Sequence, residues 1–220
     1  IHLAIVQEMR KEVSFRDINR LFLGVILPDG AVAGNSHLKK KICENTRYTY
    51  DLECFRDRYG KYMKKDDLYL HLIQDMLYRR FMYGEHGWNS SVPGNVEKLH
   101  RDYEILNEYV SKKYGLSKEM IQELDLTEEP LAQLAEFDVK GLIKEVRGEF
   151  VQRKEEKLSI LTRQMADEYI VRATEFCVEE LKALSQGKSG LDSTVWSWEK
   201  PENISHEKLN QKLNAKIENM

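Results

Sequence analysis

The chain has 220 residues, of which 41% are hydrophobic and 32% are charged, a composition that is ordinary for one globular domain with a sizeable core. Its formal net charge of −3 and isoelectric point near 6.1 argue against the broad basic face that duplex nucleic acid usually requires. No run approaches the roughly 18 consecutive apolar residues that a membrane-spanning helix needs, and the first residues lack the form of a secretory signal.

The cysteines are Cys43, Cys54 and Cys177, an odd number with no C-x-x-C pair. This pattern favours neither a disulfide framework nor a thiolate metal site. We therefore expect a cytoplasmic protein whose thiols are reduced and buried. Because the chain begins with Ile1, a lost upstream segment is compatible with the sequence.

The N-terminal part has apolar residues at helical spacing, which predicts a helix from His2 to about Val13. Ser14 is the predicted N-cap of a second short helix that runs to Leu23, with Asp17 in its first turn. The stretch from 24 to 34 contains three glycines and a proline and predicts a buried loop that presents Asp29. That carboxylate is either a ligand or, because Pro-Asp-Gly is a turn signature, a turn residue.

Three helices are predicted in the middle of the chain. One opens at Asp51 and runs to about Met63, the next runs from about 66 to 82, and the third is capped by Asn95, runs to about Tyr114 and is stopped by Gly115. The second helix is expected to bury Leu72, Ile73, Met76, Leu77 and Phe81. The loop between the second and third helices, 83–95, contains His86 and Trp88, and a loop of that length is typical of a functional segment.

The C-terminal half predicts short helices between 117 and 157 and a long amphipathic helix from about Ser159 to Ser185. The apolar stripe of that long helix is either core or a partner surface, and we interpret it as core. Residues 1–185 are predicted to form a single all-α domain, and 186–220 a polar C-terminal tail. In the tail, Trp196 and Trp198 are expected to dock on the body, the segment 205–220 is marginally helical, and His206 is expected at the surface.

Two helices each place a histidine and a carboxylate four residues apart. His71 and Asp75 share one helix face, as do His100 and Glu104, so each pair can reach one ion beside its helix. The competing interpretation of each pair is a surface ion pair. In the same way, the run 39–41 and the arginines at 79 and 80 are either phosphate contacts or solvated charges.

The candidate ligands are nitrogen and oxygen donors without a thiolate, which suits Zn²⁺ or a similar ion in a hydrolytic site. In chain order they are His2, Asp29, His37, His71, Asp75, His86, His100 and Glu104. Eight donors suffice for more than one metal. Two metals about 3.5–4 Å apart can activate a shared water and bind both the attacking and leaving oxygens of a phosphoester.

This order of ligands resembles that of the bacterial zinc-dependent phospholipase C family and of the related zinc-dependent single-strand nucleases, which are all-α enzymes with a trinuclear metal cluster. The family order is an early His, then Asp, His, His-x-x-x-Asp, His and finally His-x-x-x-Glu, and the resemblance covers roughly residues 2 to 110. The element Gly-Val-Ile-Leu-Pro-Asp that ends at Asp29 is similar to the Gly-x-x-x-Pro-Asp element of cytosolic bacterial members.

The resemblance implies three metal positions, with one to three zinc ions or other divalent metals as cofactors. The first would be held by Asp29, His37, His71 and Asp75. The second would be held by His86, His100 and Glu104. Asp75 and His2 would contribute to the third.

The function that follows is a metal-dependent phosphoester hydrolase in which a metal-activated water attacks a phosphodiester or phosphomonoester and Asp29 orients or deprotonates that water. The expected partner is a small phosphorylated substrate or a phospholipid headgroup, and no oligomeric state is predicted. An HD-type nucleotide phosphohydrolase is the alternative enzyme, although the chain contains no His-Asp dipeptide. A non-catalytic helical interaction module on the same scaffold is the other alternative, and it predicts few bound metals and an exposed apolar face on the 159–185 helix.

Overall fold

The computed structural model of the protein describes residues 1–15, 17–32, 37–42, 47–59, 67–122, 137–151, 156–188 and 190–199. These residues are mostly helical, which confirms the predicted class at the coarse level, but they also contain a small three-stranded sheet that was not predicted. The helices are α1 His2–Met9, α2 Ile18–Gly24, α3 Leu52–Tyr59, α4 Asp67–Arg79, α5 Asn95–Lys113, α6 Lys118–Gln122, α7 Val139–Gly148 and α8 Arg163–Ser185. The strands are β1 Lys39–Ile42, β2 Arg47–Tyr50 and β3 Trp198–Glu199.

The first two helices are shorter than predicted. α1 buries its apolar face against α8 and ends at Met9, and single turns continue the chain to Val13. α2 is capped by Asp17, whose carboxylate accepts the backbone N–H of Arg20, and the prediction of Ser14 as the cap was wrong. An N-cap directly precedes the first helical residue, and Ser14 lies three residues too early for that role.

Helix α4 is the central element, since it contacts α2, α3, α8 and β2. Of the residues predicted to be buried on it, Leu72, Ile73, Met76 and Phe81 are buried and Leu77 is partly buried. The α-helical geometry ends at Arg79, and a π-helical turn, Arg80–Glu85, carries the chain onward. Turns of this kind are frequent at functional sites.

The caps of the two longest helices differ in detail from the prediction. Gly94 caps α5 with a φ of 80°, and the prediction of Asn95 as the cap was wrong, because Asn95 is the first helical residue and its side-chain amide donates to the carbonyl oxygen of Asn89. Gly115 ends the helix with a φ of 66°, as predicted. α8 begins at Arg163, where Thr162 accepts the N–H of Met165.

The apolar stripe of α8 belongs to the core, as predicted. Its buried members are Ala166, Tyr169, Ile170, Ala173, Cys177 and Val178. The exposed apolar face that the interaction-module alternative requires is therefore not found on this helix, where Val171 is the large hydrophobic residue that is half exposed.

The sheet is antiparallel with the order β1-β2-β3, and Tyr48 of β2 pairs with Trp198 of β3. Trp198 is 3% exposed, and Trp196 packs its ring against Phe176, so both tryptophans dock on the body as predicted. The sheet was not predicted, because β1 consists of three exposed lysines and one isoleucine and has no alternation of apolar and polar residues.

Several predictions concern residues outside the described ranges, namely the end of the 51–63 helix, Cys43, the segment 205–220 and His206. Of the two described cysteines Cys177 is buried, whereas Cys54 is exposed, which contradicts the expectation for Cys54. Across the described part of the chain, no helix combines the length and apolar character needed to cross a membrane. The cytoplasmic location stays a prediction.

Candidate metal centre

His71 is the most buried of the candidate ligands, with a fully buried side chain on α4. Its Nδ1 lies 2.8 Å from the carbonyl oxygen of Val25 at the end of α2. Because a carbonyl oxygen only accepts, Nδ1 carries the hydrogen, and the lone pair of the neutral ring is on Nε2. This nitrogen faces His37 and Asp29.

His2 is oriented by a similar hydrogen bond. Its Nδ1 lies 2.7 Å from Oε1 of Gln74, so the lone pair is again on Nε2, which lies 3.5 Å from Oδ1 of Asp75. The ring of His2 stacks on the ring of His71 with centroids 4.4 Å apart. Burial and the neighbouring His71 lower the pKa of His2 to about 4, so the ring is neutral at pH 7, as a metal ligand must be.

Asp29, from the 3-10 helical turn Leu27–Gly30, and His37, from a loop, complete the group. Nε2 of His37 lies 2.9 Å from Nε2 of His71, 3.4 Å from Oδ1 of Asp29 and 3.6 Å from Oδ2 of Asp75. Nε2 of His71 lies 3.6 Å from the same oxygen of Asp29. The residue after His37 is Leu38, whose φ of 46° is costly for a residue with a Cβ, and such strain is often found at functional sites.

These separations suit a shared cation. Donors 2.0–2.1 Å from a tetrahedrally coordinated zinc ion are about 3.3–3.4 Å from one another, and the measured separations lie on either side of that value. Two groups of ligand atoms, each within 4.8 Å, are present: Asp29 with His37 and His71, and His2 with His71 and Asp75. Without a cation, the same geometry requires that Nε2 of His37 carries a hydrogen and donates it to Nε2 of His71.

Both aspartates are held in the ionised form. Burial would raise the pKa of Asp29, but the hydrogen bond from His37 and the nearby His71 and His2 keep it well below its usual range. Burial likewise opposes ionisation of Asp75, while His71 and the other nearby histidines lower its pKa. The site is therefore a cluster of imidazoles and two carboxylates, a donor set that suits zinc or a similar divalent ion.

Two positioning residues of this site were missed by the sequence analysis. The hydroxyl of Tyr50 on β2 donates to Oδ2 of Asp75, and Gln74 orients His2. Burial and the nearby Asp75 raise the pKa of Tyr50, so the phenol keeps its hydrogen. The alternation in Arg47-Tyr48-Thr49-Tyr50 was a usable strand signal, whereas a glutamine beside Asp75 has no distinctive pattern.

The three residues predicted for a second metal are not brought together. His86 is exposed and packs its ring edge against Phe81. His100 is exposed and stacks on Tyr103, and Glu104 forms an ion pair with Arg101. Among the described residues these three form no common group of ligand atoms.

A cavity of about 750 Å³ adjoins the cluster. His2, Asp29 and Asp75 lie at its surface, and so do His100 and Glu104 from α5. Asp29 has half of its side chain exposed, 51%, so its carboxylate can meet a solute that enters the cavity. A small phosphorylated molecule fits a space of this volume.

Comparison of the chain with protein-family models, with curated proteins and with solved structures finds no match in any of the three.

Proposed function

We propose that the protein is a metal-dependent hydrolase of phosphoesters, with zinc as the expected metal. The observation that supports the proposal is the convergence of Asp29, His37 and His71 at separations of 2.9 to 3.6 Å, with Oδ2 of Asp75 3.6 Å from Nε2 of His37. The ligand order that resembles the zinc-dependent phospholipase C family gives the same four residues.

These four residues would hold the principal cation. His71 has one lone pair, since its Nδ1 is engaged by Val25, so it can serve only one of the two ligand groups. Asp75 can serve both, because its Oδ2 faces His37 and its Oδ1 faces His2. One complete position and one partial position at His2 and Asp75 are the arrangement that this geometry supports best.

When bound, a divalent cation supplies Lewis-acid activation of water and of the phosphoester. The task of Asp29 is to orient the attacking water or to accept its proton, because its half-exposed carboxylate stays ionised beside the cavity. Gln74 and Val25 keep the two Nε2 lone pairs directed into the site. Tyr50 fixes Asp75 through its hydroxyl hydrogen.

The test is metal analysis of protein purified without chelator, followed by hydrolysis assays. Wild-type protein is expected to retain zinc or a similar ion and to hydrolyse nitrophenyl phosphate, a phospholipid or a nucleotide in a chelator-sensitive way. His71→Ala is expected to lose the metal, and His37→Ala, at a less buried position, serves as a second variant if the first does not fold.

His86→Ala is the matched control, because it removes an exposed imidazole that lies outside the cluster. It should retain both metal and activity. The proposal fails if wild-type protein binds no divalent metal, or if the His71 and His37 variants keep the metal content of the wild type. An HD-type phosphohydrolase would instead be indicated by turnover of nucleotides alone.

A further inference from the structure

The cavity beside the candidate metal cluster is lined by residues of both charges. One part of its lining, the donor wall, consists of Arg79, Tyr83 and Trp88, from the end of α4, the π-helical turn and the loop after it. Glu104 of α5, Glu145 of α7 and Glu149, which follows α7, also line the cavity. A ligand in the cavity therefore meets both hydrogen-bond donors and carboxylates.

Arg79 is the charged residue of the donor wall. It lies one helical turn after Asp75 on α4, is partly buried, and interacts electrostatically with Tyr50 and Asp75. No carboxylate of the described residues forms an ion pair with it within 4.0 Å, whereas Arg101 and Arg172 each form ion pairs with two glutamates. A partly buried guanidinium group without a carboxylate partner favours an anion.

The next arginine along the chain has a different environment. The guanidinium of Arg80 lies 4.7 Å above the ring of Trp196 and donates to the carbonyl oxygen of Val195, and it does not line the cavity. Arg79 and Arg80 are adjacent in the chain and carry the same charge, but their surroundings differ. This makes Arg80 a matched control for Arg79.

Trp88 supplies a second donor on the same wall. It is 8% exposed, it lines the cavity, and its indole Nε1 is buried without a hydrogen-bond partner among the described residues. A buried N–H group with no acceptor destabilises the fold. Its ring packs 5.1 Å from the ring of Tyr83, which in turn interacts electrostatically with Arg79. An acceptor oxygen in the cavity would satisfy the indole.

We propose that Arg79 and the indole N–H of Trp88 bind the non-bridging oxygens of a phosphoryl group placed against the metal cluster. This inference rests on the proposed function and deepens it, since it assigns the residues that select an anionic phosphate over a neutral ester or an amide. Arg79 supplies charge-assisted hydrogen bonds, and Trp88 adds one directed donor. Both a phospholipid headgroup and a free phosphate ester carry this chemistry.

The experiment is calorimetric titration of the full chain with inorganic phosphate, in zinc-loaded and in chelator-treated form. Arg79→Met should weaken phosphate binding about tenfold or more in both forms, the loss expected for a charge-assisted hydrogen bond in a partly buried site. Arg79→Lys should recover part of the loss. Trp88→Phe should weaken binding by a smaller factor, and Arg80→Met should leave it at the wild-type value.

Metal content and the thermal midpoint of each variant report whether the cluster and the fold persist. The inference is overturned if Arg79→Met and Arg80→Met bind phosphate equally well. It is also overturned if Arg79→Met loses phosphate only together with the metal while Arg79→Lys shows no recovery. If the chelator-treated protein binds phosphate through Arg79 but no substrate is hydrolysed, the subsite stands and the proposed hydrolase function fails.

The source of the phosphate is then resolved by competition. A soluble phosphomonoester that displaces inorganic phosphate from wild-type protein, but not from the residual site of Arg79→Met, supports a free phosphate ester as the ligand. Displacement by micelles of a short-chain phospholipid and not by the soluble ester supports a headgroup. Displacement by neither overturns the assignment of this wall to a substrate phosphate.

Discussion

The nitrogen that each histidine presents to the cluster is decided by a residue outside the cluster. His71 and His2 both donate Nδ1–H to a carbonyl oxygen, one of the backbone and one of a fully buried glutamine. Partners of this kind fix the tautomer of a metal-binding imidazole and are typical of metal sites. The backbone partner of His71 cannot be removed by substitution, but the partner of His2 can.

We therefore expect Gln74→Met to change the tautomer of His2. In metal-free wild-type protein near pH 7, both His2 and His71 should carry the hydrogen on Nδ1. Once Oε1 of Gln74 is gone, His2 should move its hydrogen to Nε2, because Oδ1 of Asp75 lies 3.5 Å away and accepts it. Nitrogen NMR of the labelled imidazoles measures the change.

His71 is the internal control in the same spectrum, since its partner Val25 is unchanged. A wild-type His2 that already carries the hydrogen on Nε2 would contradict the assignment. An unchanged tautomer in the variant would show that Gln74 does not orient this ring.

Local periodicity reveals only part of such a site. His71 and Asp75 could be paired from sequence because the helical repeat brings residues four apart together. His2, Asp29 and His37 join them through the packing of α1, α2 and a loop onto α4, which no local pattern encodes. His100 and Glu104 have the same four-residue helical spacing as His71 and Asp75. Both line the cavity, however, and Glu104 forms an ion pair with Arg101.

At the scale of elements, one carboxylate links two of the longest helices. Asp102 of α5 is fully buried, and it accepts the backbone N–H groups of Ser159, Ile160 and Leu161 at 2.6 to 2.9 Å. These residues lead directly into Thr162, the cap of α8. These three hydrogen bonds therefore fix the position of the start of α8 relative to α5.

Asp102→Ala should lower the free energy of unfolding by about 3–5 kcal/mol, because it removes a fully buried acceptor from three backbone N–H groups, of which that of Leu161 is at a buried residue. Asp102→Asn should cost less, since one oxygen remains. Glu97→Ala, an exposed change in the first turn of α5, should stay within about 0.5 kcal/mol of the wild type. Urea denaturation gives all three values, and a loss below 1 kcal/mol for the alanine variant would contradict the structural role.

The elements that could be predicted from sequence are those stabilised by their own amphipathic pattern. The middle and C-terminal helices α4, α5 and α8 each have an apolar stripe that packs onto the core, so only their ends differed from expectation. The sheet is different, since β2 pairs with a strand of two residues about 150 positions later in the chain. Its third strand depends on the return of residues 190–199 to the body, and the sequence signals that return only through the apolar character of the two tryptophans.

At the scale of the whole molecule, the returning segment 190–199 packs against a residue that positions the candidate metal cluster. The ring of Trp198 lies 4.9 Å from the ring of Tyr50, whose hydroxyl holds Asp75. The backbone N–H of Leu191 is bound by both Tyr69 and Glu180, and Thr49 donates to the carbonyl oxygen of Ser193. Residues near both ends of the described chain thus meet around α4.

Trp198→Ala should consequently affect both stability and metal retention. Removing a tryptophan that is 3% exposed should lower the free energy of unfolding by about 3–5 kcal/mol, and the loss of its ring contact with Tyr50 should weaken zinc binding.

Trp196→Ala is the control, because Trp196 is only partly buried and packs on Phe176, away from Tyr50. Its cost should be smaller and its zinc affinity unchanged. Denaturation with urea and competition with a chromogenic zinc chelator measure the two effects. If the two tryptophan variants lose the same stability, or if Trp198→Ala binds zinc as tightly as the wild type, the returning segment does not support the cluster.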